Sequence, residues 1–340
     1  MNDAVVSTED VPEAADVRGE ISALSFSDLF LEPEVVWYRK SPRNSKRGLL
    51  SEQQVDEARL LRKELQRHST GQDFRLAWHG MEFRVQRITT LKGDVYACRR
   101  LREKPIPFED LGYPRRLKRA LLSDDFSRGG LVLFTGGTGD GKSMTQASWL
   151  IARLRQFGGT AWMIEHPAEM LLQGDYSSPD GSVVGTLYQT QVQSDAEFGN
   201  AISQLLRAAP DMFVFGEIRN RAVACEAVLA ATSGHLVAAT YHANNIEAAL
   251  QRMTTMIRDG GLDVSFFAES LCAIVHQEMT VLERGGKEIH NLTVMPLIIK
   301  GAINETGTRN NLRNGDFGML VSELKRQERV AGGGTTEEMF

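Results

Sequence analysis

Gly136-Gly137-Thr138-Gly139-Asp140-Gly141-Lys142-Ser143 fits the pattern G-x-x-x-x-G-K-[ST], a loop that binds phosphate. Its flanks have the order this motif needs. Leu131-Val132-Leu133-Phe134 reads as a buried strand before it, and 144–156 reads as a helix after it. The glycines let backbone N–H groups turn inward onto phosphate oxygens. The helix that opens at Met144 adds the positive end of its dipole. In such a loop Lys142 reaches the β- and γ-phosphates and the Ser143 hydroxyl sits on Mg2+. A plain glycine-rich turn is the alternative, and the strand and helix on either side weigh against it.

Working outward, strands and helices alternate over residues 111–283. The runs 160–165, 212–215 and 236–240 read as buried strands. Phe198, Ala201, Ile202, Leu205 and Leu206 recur at helical spacing, and 222–231 is a helix of small residues. Such alternation implies a mostly parallel sheet with helices on both faces, an α/β domain over 111–245. Two further helices are expected over 246–257 and 266–282, in a helical part spanning 246–300. Leu250, Met253, Met256 and Ile257 read there as core. The tail 301–340, rich in Gly, Asn and Thr, is expected to be flexible.

Three clusters follow the loop, each beside a strand. Ile164-Glu165-His166-Pro167-Ala168-Glu169 places carboxylates past a strand end, where α/β enzymes hold ligands. Phe213-Val214-Phe215-Gly216-Glu217-Ile218-Arg219 is an apolar strand ending in one acid, the pattern that delivers a carboxylate toward Mg2+ and water. Thr232-Ser233-Gly234-His235 and Thr240-Tyr241-His242 flank the strand 236–240. Each alone is equally a surface acid or a structural histidine; their order behind a phosphate loop carries the weight.

Upstream, 26–102 reads as a smaller α+β domain. Ser51 and Gln54 form a capping-box signal before a helix through Val55, Ala58, Leu61 and Leu65. Phe74-Arg75-Leu76 and Phe83-Arg84-Val85 alternate around a turn at His79-Gly80, a hairpin signature, and 95–98 suits a third strand. Residues 103–110, with Pro105 and Pro107, read as a linker. Residues 1–25 open the chain as a disordered lead-in, with six carboxylates against one arginine in 1–20. The 340 residues suit about two domains. A net charge of −5 argues against a dedicated nucleic-acid binder. Three scattered cysteines form no metal pattern and suit a reducing cytosol. No run is apolar and long enough to span a membrane, and none reads as a signal peptide.

The four boxes resemble the secretion ATPase superfamily: type IV pilus retraction motors, type II secretion motors and type IV secretion traffic ATPases. That family follows its phosphate loop with I-E-D-P-[IV]-E, a box ending G-E-[MI]-R, and T-G-H-x(6)-H. Here stand I-E-H-P-A-E, G-E-I-R and S-G-H-L-V-A-A-T-Y-H. Within the family the chain looks closest to type IVB secretion and plasmid conjugative transfer ATPases. The resemblance implies a RecA-like ATPase domain behind the smaller one. It implies that Lys142 and Ser143 bind ATP and Mg2+ and that Glu169 polarises the attacking water. Glu217 would act at Mg2+, His242 would sense the γ-phosphate, and His235 would match the first histidine of the last box. His166 departs from the family's Asp, and Thr232-Ser233 from the retraction motors' Glu-Thr.

The resemblance also implies arginines of the first domain at phosphates across a domain or subunit boundary. Arg99 and Arg100 are the expected pair, with Arg84 and Arg87 nearby; the alternative is the solvated face of a hairpin. Arg115, Arg116, Lys118 and Arg119 read as an exposed helix face. As a whole the resemblance implies a hexameric ATPase motor at the cytoplasmic face of the inner membrane. It would dock peripherally on secretion or pilus components without direct nucleic acid. A RecA-like ATPase acting on nucleic acid and a nucleotide-gated scaffold are the rival classes.

Overall fold

The computed structural model describes residues 21–41, 46–68, 71–101, 104–192, 195–284 and 287–332. Most of the expected lead-in therefore lies outside the described residues. Internal contacts divide the chain into two units. One is Met1–Glu103 with Glu169–Leu171; the other is Lys104–Ala168 with Leu172–Phe340. Residues 104–110, expected as linker, group with the second unit, where the Ile106 N–H donates to Met144 Sδ at 3.2 Å and Phe108 is buried.

The first unit contains β1 (Asp28–Leu31), β2 (Val36–Arg39), β3 (Gly48–Leu49), α1 (Glu52–His68), β4 (Asp73–Trp78), β5 (Met81–Thr90) and β6 (Gly93–Arg100). The strands form one antiparallel sheet in the order β3-β2-β1-β6-β5-β4. Both halves of the capping box form. The Ser51 N–H donates to Gln54 Oε1 at 3.0 Å, and the Gln54 N–H donates to Ser51 Oγ at 3.3 Å. The helix buries Ala58, Leu61 and Leu65 against Leu29, Phe83, Val85, Tyr96 and Cys98 of the sheet.

The second unit contains α2 (Arg115–Leu121), β7 (Gly130–Gly136), α3 (Lys142–Phe157), β8 (Gly159–Glu165), β9 (Gly174–Ser177), β10 (Val183–Gln191), α4 (Asp195–Leu206) and β11 (Met212–Phe215). It continues with α5 (Arg221–Thr232), β12 (Leu236–His242), α6 (Ile246–Asp259), α7 (Val264–Ser270), β13 (Leu271–Arg284), β14 (Lys287–Ile298), α8 (Glu305–Asn314) and α9 (Val321–Ala331). Eight strands form one sheet in the order β14-β13-β7-β12-β11-β8-β10-β9. Only the outer pairs, β14 with β13 and β9 with β10, are antiparallel; the pairs between them run parallel. Side chains alternate across β7. Leu131 and Leu133 join the core formed with α4, α5, α6 and α7, while Phe134 meets Trp149 of α3 edge to face at 5.7 Å. Helices therefore cover both faces, as the strand–helix alternation predicts.

Three expectations need correction. Residues 271–282, expected as helix, form β13, which pairs with β7 through Leu271↔Leu131 and His276↔Thr135. The run Leu271-Cys272-Ala273-Ile274-Val275 is apolar without interruption, and such a run suits a buried strand as well as a helix. As a strand it satisfies the backbone edge of β7.

The tail, expected to be flexible, carries α8 and α9 over 301–332, with Leu312, Leu320 and Val330 buried; 333–340 lie outside the described residues. The Arg309 guanidinium donates to the carbonyls of Ala268, Glu269 and Leu271, closing the end of α7. Buried Gln327 exchanges two hydrogen bonds with the backbone of Ile298 at 2.6 and 2.8 Å, so α9 finishes the β14 edge. Lys118 is not on an exposed helix face: it is 8% exposed and donates to the Glu109 carbonyl.

Candidate functional site

The parallel strands end together. Gly136 of β7 lies opposite His242 of β12, and Phe215 of β11 lies opposite Ala239 of β12 and Ile164 of β8. The phosphate loop leaves this carboxyl edge, where open α/β sheets bind ligands. Gly136, Gly139 and Gly141 take φ of 154°, 82° and 83°. A side chain at any of them would be strained, and a Cβ at Gly136 would lie 2.3 Å from the Gln277 carbonyl. The Lys142 ammonium folds back to the Gly137 carbonyl at 2.7 Å. Gly141 is the N-cap of α3 and offers no capping side chain, so the first N–H groups of the helix face the loop. This helix start, ringed by glycine backbone and one ammonium, fits a polyphosphate. Ser143 and Glu217 supply oxygen donors, the chemistry that Mg2+ takes.

Asp140 and Gln277 hold the loop. Asp140 Oδ2 accepts the Gly137 N–H at 2.6 Å, and its Oδ1 accepts the Met279 N–H of β13 at 3.2 Å. The fully buried Gln277 donates to the Asp140 carbonyl and accepts from the Tyr113 hydroxyl at 2.7 Å. Burial pushes the Tyr113 phenol up, so it remains a donor.

His242 reaches the loop: its Nε2 lies 2.6 Å from Thr138 Oγ1. Arg252 of α6 donates to the His242 carbonyl at 2.8 Å and lies over the Tyr241 ring, fixing the strand end. Glu217 follows β11 and pairs with Arg219, Nε to Oε2 at 2.7 Å. A cation at Glu217 would have to share its carboxylate with that guanidinium. His166, Phe198, Glu217 and Arg219 line one small depression, so the I-E-H-P-A-E and G-E-I-R boxes meet there. Glu165 is buried and accepts from Gln189 of β10.

Other expected residues are not brought together with the loop. His235 precedes β12; its backbone carbonyl accepts the Gly130 N–H at the start of β7, and its ring lies against Phe213. Seven residues of strand, about 20 Å, separate that edge from His242. Within the subunit His235 is thus at the far edge of the sheet, not at the phosphate loop. Arg99 donates to Asp28 at 2.9 Å, and Arg100 donates to the Ser22 and Leu24 carbonyls at 3.4 and 3.3 Å over the Phe26 ring. Arg84 and Arg87 pair with Asp73 and Asp94. These arginines have partners inside their own unit. Glu169 is exposed, in the segment Glu169–Leu171 that groups with the first unit. The ends of that segment are anchored: the Ala168 N–H donates to Gln191 and the Leu172 N–H to Gln189, at 3.2 and 3.0 Å.

Gln189, Gln191, Gln277 and Arg252 were not read from the sequence as site residues. Gln189 and Gln191 carried a signal, two amides at strand spacing on one face of 183–191. Gln277 is a lone polar residue beside an apolar run.

The family model described as Type II/IV secretion system protein matches residues 55–313. Type IV pilus ATPase PilU of Pseudomonas aeruginosa is 38% identical over 152 residues, which cover 44% of this chain and 37% of that protein. A putative type II secretion system protein E of Escherichia coli is 29% identical over 209 residues, 60% of this chain and 39% of that protein. The chain thus spans about two fifths of the length of these curated relatives. Among solved structures, the pilus retraction motor PilT with bound ADP superposes with a TM-score of 0.68 at 23% identity, covering 93% of this chain and 92% of that one. The Legionella pneumophila ATPase DotB gives 0.66 at 17% identity, covering 93% and 90%. Both share the fold of a RecA-like domain preceded by a smaller one. The phosphate loop, the acid behind β11 and the histidine that ends β12 lie inside the matched span, and the chain belongs to the Type II/IV secretion system protein family.

Proposed function

We propose that this chain is a Mg2+-dependent ATPase that works as a homohexameric motor in type IV secretion, of the type IVB or conjugative kind, or in pilus dynamics. The observation that carries the reading is the 2.6 Å contact between Thr138 of the phosphate loop and His242 at the end of the next strand. It gives a histidine direct access to whatever the loop binds. Lys142 binds the β- and γ-phosphates once nucleotide draws it off the Gly137 carbonyl. Ser143 and Glu217 hold Mg2+, which neutralises phosphate charge. Glu169 orients and deprotonates the attacking water. His242 then reports the presence or loss of the γ-phosphate to β12, and Arg252 passes the change to α6. Arg99 or Arg100 serves a phosphate only by exchanging its present partner, and a neighbouring subunit is the natural place for that exchange. The ring works at the cytoplasmic face of the inner membrane, docked peripherally on secretion or pilus components.

Phosphate release with Mg2+ and with chelator, measured across protein concentration, tests this. Activity per chain should need Mg2+ and fall on dilution below the assembly range. Adding Lys142→Ala chains should depress activity more than in proportion. A monomer with full activity per chain would rule out the ring.

A further inference from the structure

From Arg39 to Arg47 the sequence holds five cations and no carboxylate, in a chain of net charge −5. The described cations among them, Arg39, Lys40, Lys46 and Arg47, sit where β2 ends and β3 begins, at one edge of the six-stranded sheet. Two are held in place by a stack. The Arg39 guanidinium lies 5.5 Å from the Phe30 ring centre, and Phe30 stacks on Trp37 at 4.0 Å. The Arg47 guanidinium lies 4.4 Å from the Trp37 ring centre. Among the described residues, two acids near Arg39 and Trp37 are engaged elsewhere. Asp28, in register with Arg39, binds Arg99, and Glu32 accepts the Trp37 indole N–H at 2.7 Å. Arg39 Nε is buried with no hydrogen-bond partner. Beside these cations the edge strand exposes an aliphatic residue: Leu49, opposite Trp37, is 83% exposed.

We infer that this edge docks on an anionic phospholipid surface. Arg39, Lys40, Lys46 and Arg47 meet headgroup phosphates, and Leu49 enters the acyl boundary. Fixed cations beside an exposed aliphatic side chain suit that surface. A single-stranded nucleic acid would instead need free aromatic faces for stacking. Here Phe30 and Trp37 cover each other, and guanidiniums cover their outer faces. The inference names the surface behind the peripheral membrane attachment proposed above. Its test uses no nucleotide, so its failure leaves the ATPase reading standing.

The test is sedimentation of the full chain with vesicles of phosphatidylcholine alone and of phosphatidylcholine mixed with phosphatidylglycerol. The chain should bind only the anionic vesicles, and salt should weaken binding. Each cation removed should cost about fivefold in affinity, so Arg39→Gln with Arg47→Gln should lose about 25-fold. Arg39→Lys with Arg47→Lys should keep most of the binding, which separates charge from shape. If the first pair unfolds, Lys40→Gln, Lys46→Gln and Arg47→Gln together keep Arg39 in its stack and should lose more than the pair. The inference is overturned by absent binding to anionic vesicles or by undiminished binding of the glutamine variants. It is also overturned if a single-stranded oligonucleotide binds through these four residues while vesicles do not.

Discussion

Replacing Asp140 by alanine isolates what holds the phosphate loop in shape. One carboxylate closes the loop on the Gly137 N–H at 2.6 Å and pins it to β13 through the Met279 N–H at 3.2 Å. A hydrogen bond to a charged group contributes about 1.5–3 kcal/mol. Asp140 is 8% exposed, so water replaces the carboxylate only in part. The two bonds together then set a loss of about 2–4 kcal/mol. In a unit of this size each kcal/mol moves the melting temperature by about 2–4 °C, so Asp140→Ala should melt about 5–15 °C lower. Asp140→Asn keeps one carbonyl acceptor and should fall between. Circular-dichroism melts and urea titrations measure the loss. Calorimetric titration with ADP should show weaker binding as well, because the loop starts less organised. An Asp140→Ala protein that melts within about 1 °C of the parent would refute the staple.

His242→Ala should leave ADP affinity nearly unchanged and remove the preference for a non-hydrolysable ATP analogue; an equal loss for both nucleotides would mark His242 as structural. Cys98 and Cys272 are buried, and burial pushes both thiols up, Cys272 to about 11. Native alkylation near neutral pH should therefore mark Cys225 first, as mass spectrometry of the digest would show, and early labelling of Cys98 would contradict the packing. Hydrogen bonds from Ser178 and Ser182 lower the Asp180 carboxyl to about 2. A carboxyl lowered by folding contributes stability that is fully present above its unfolded value near 4 and is lost as pH falls through about 2. Carboxyl NMR should find Asp180 titrating near that lower value, and Ser178→Ala should move it upward.

The phosphate loop was legible because its eight residues encode one backbone shape, with the strand and the helix on either side readable from periodicity alone. The strands β8, β11 and β12 were legible as short apolar runs. What stayed hidden depends on partners far along the chain. Asp140 reads as a loop residue, yet its role is set by Met279, and Gln277 takes meaning from Tyr113. The helix α8 is poor in helix formers, and its order comes from Leu312 in the core and Arg309 on the carbonyls that end α7. His235 shows a different limit. The two histidines stand seven positions apart, the length of β12, so the same pattern that names them places them at opposite edges.

The most direct measurement compares ATP binding with phosphate release on the same preparations of the parent, Lys142→Ala, Glu217→Gln and Glu169→Gln, with Mg2+ present. Lys142→Ala should bind nucleotide weakly and release no phosphate. Glu217→Gln and Glu169→Gln should bind ATP as the parent does and turn over about 10²-fold more slowly or worse. Parent-like phosphate release from either glutamine variant would contradict its carboxylate's part in hydrolysis, and the same from Lys142→Ala would contradict the loop as the site.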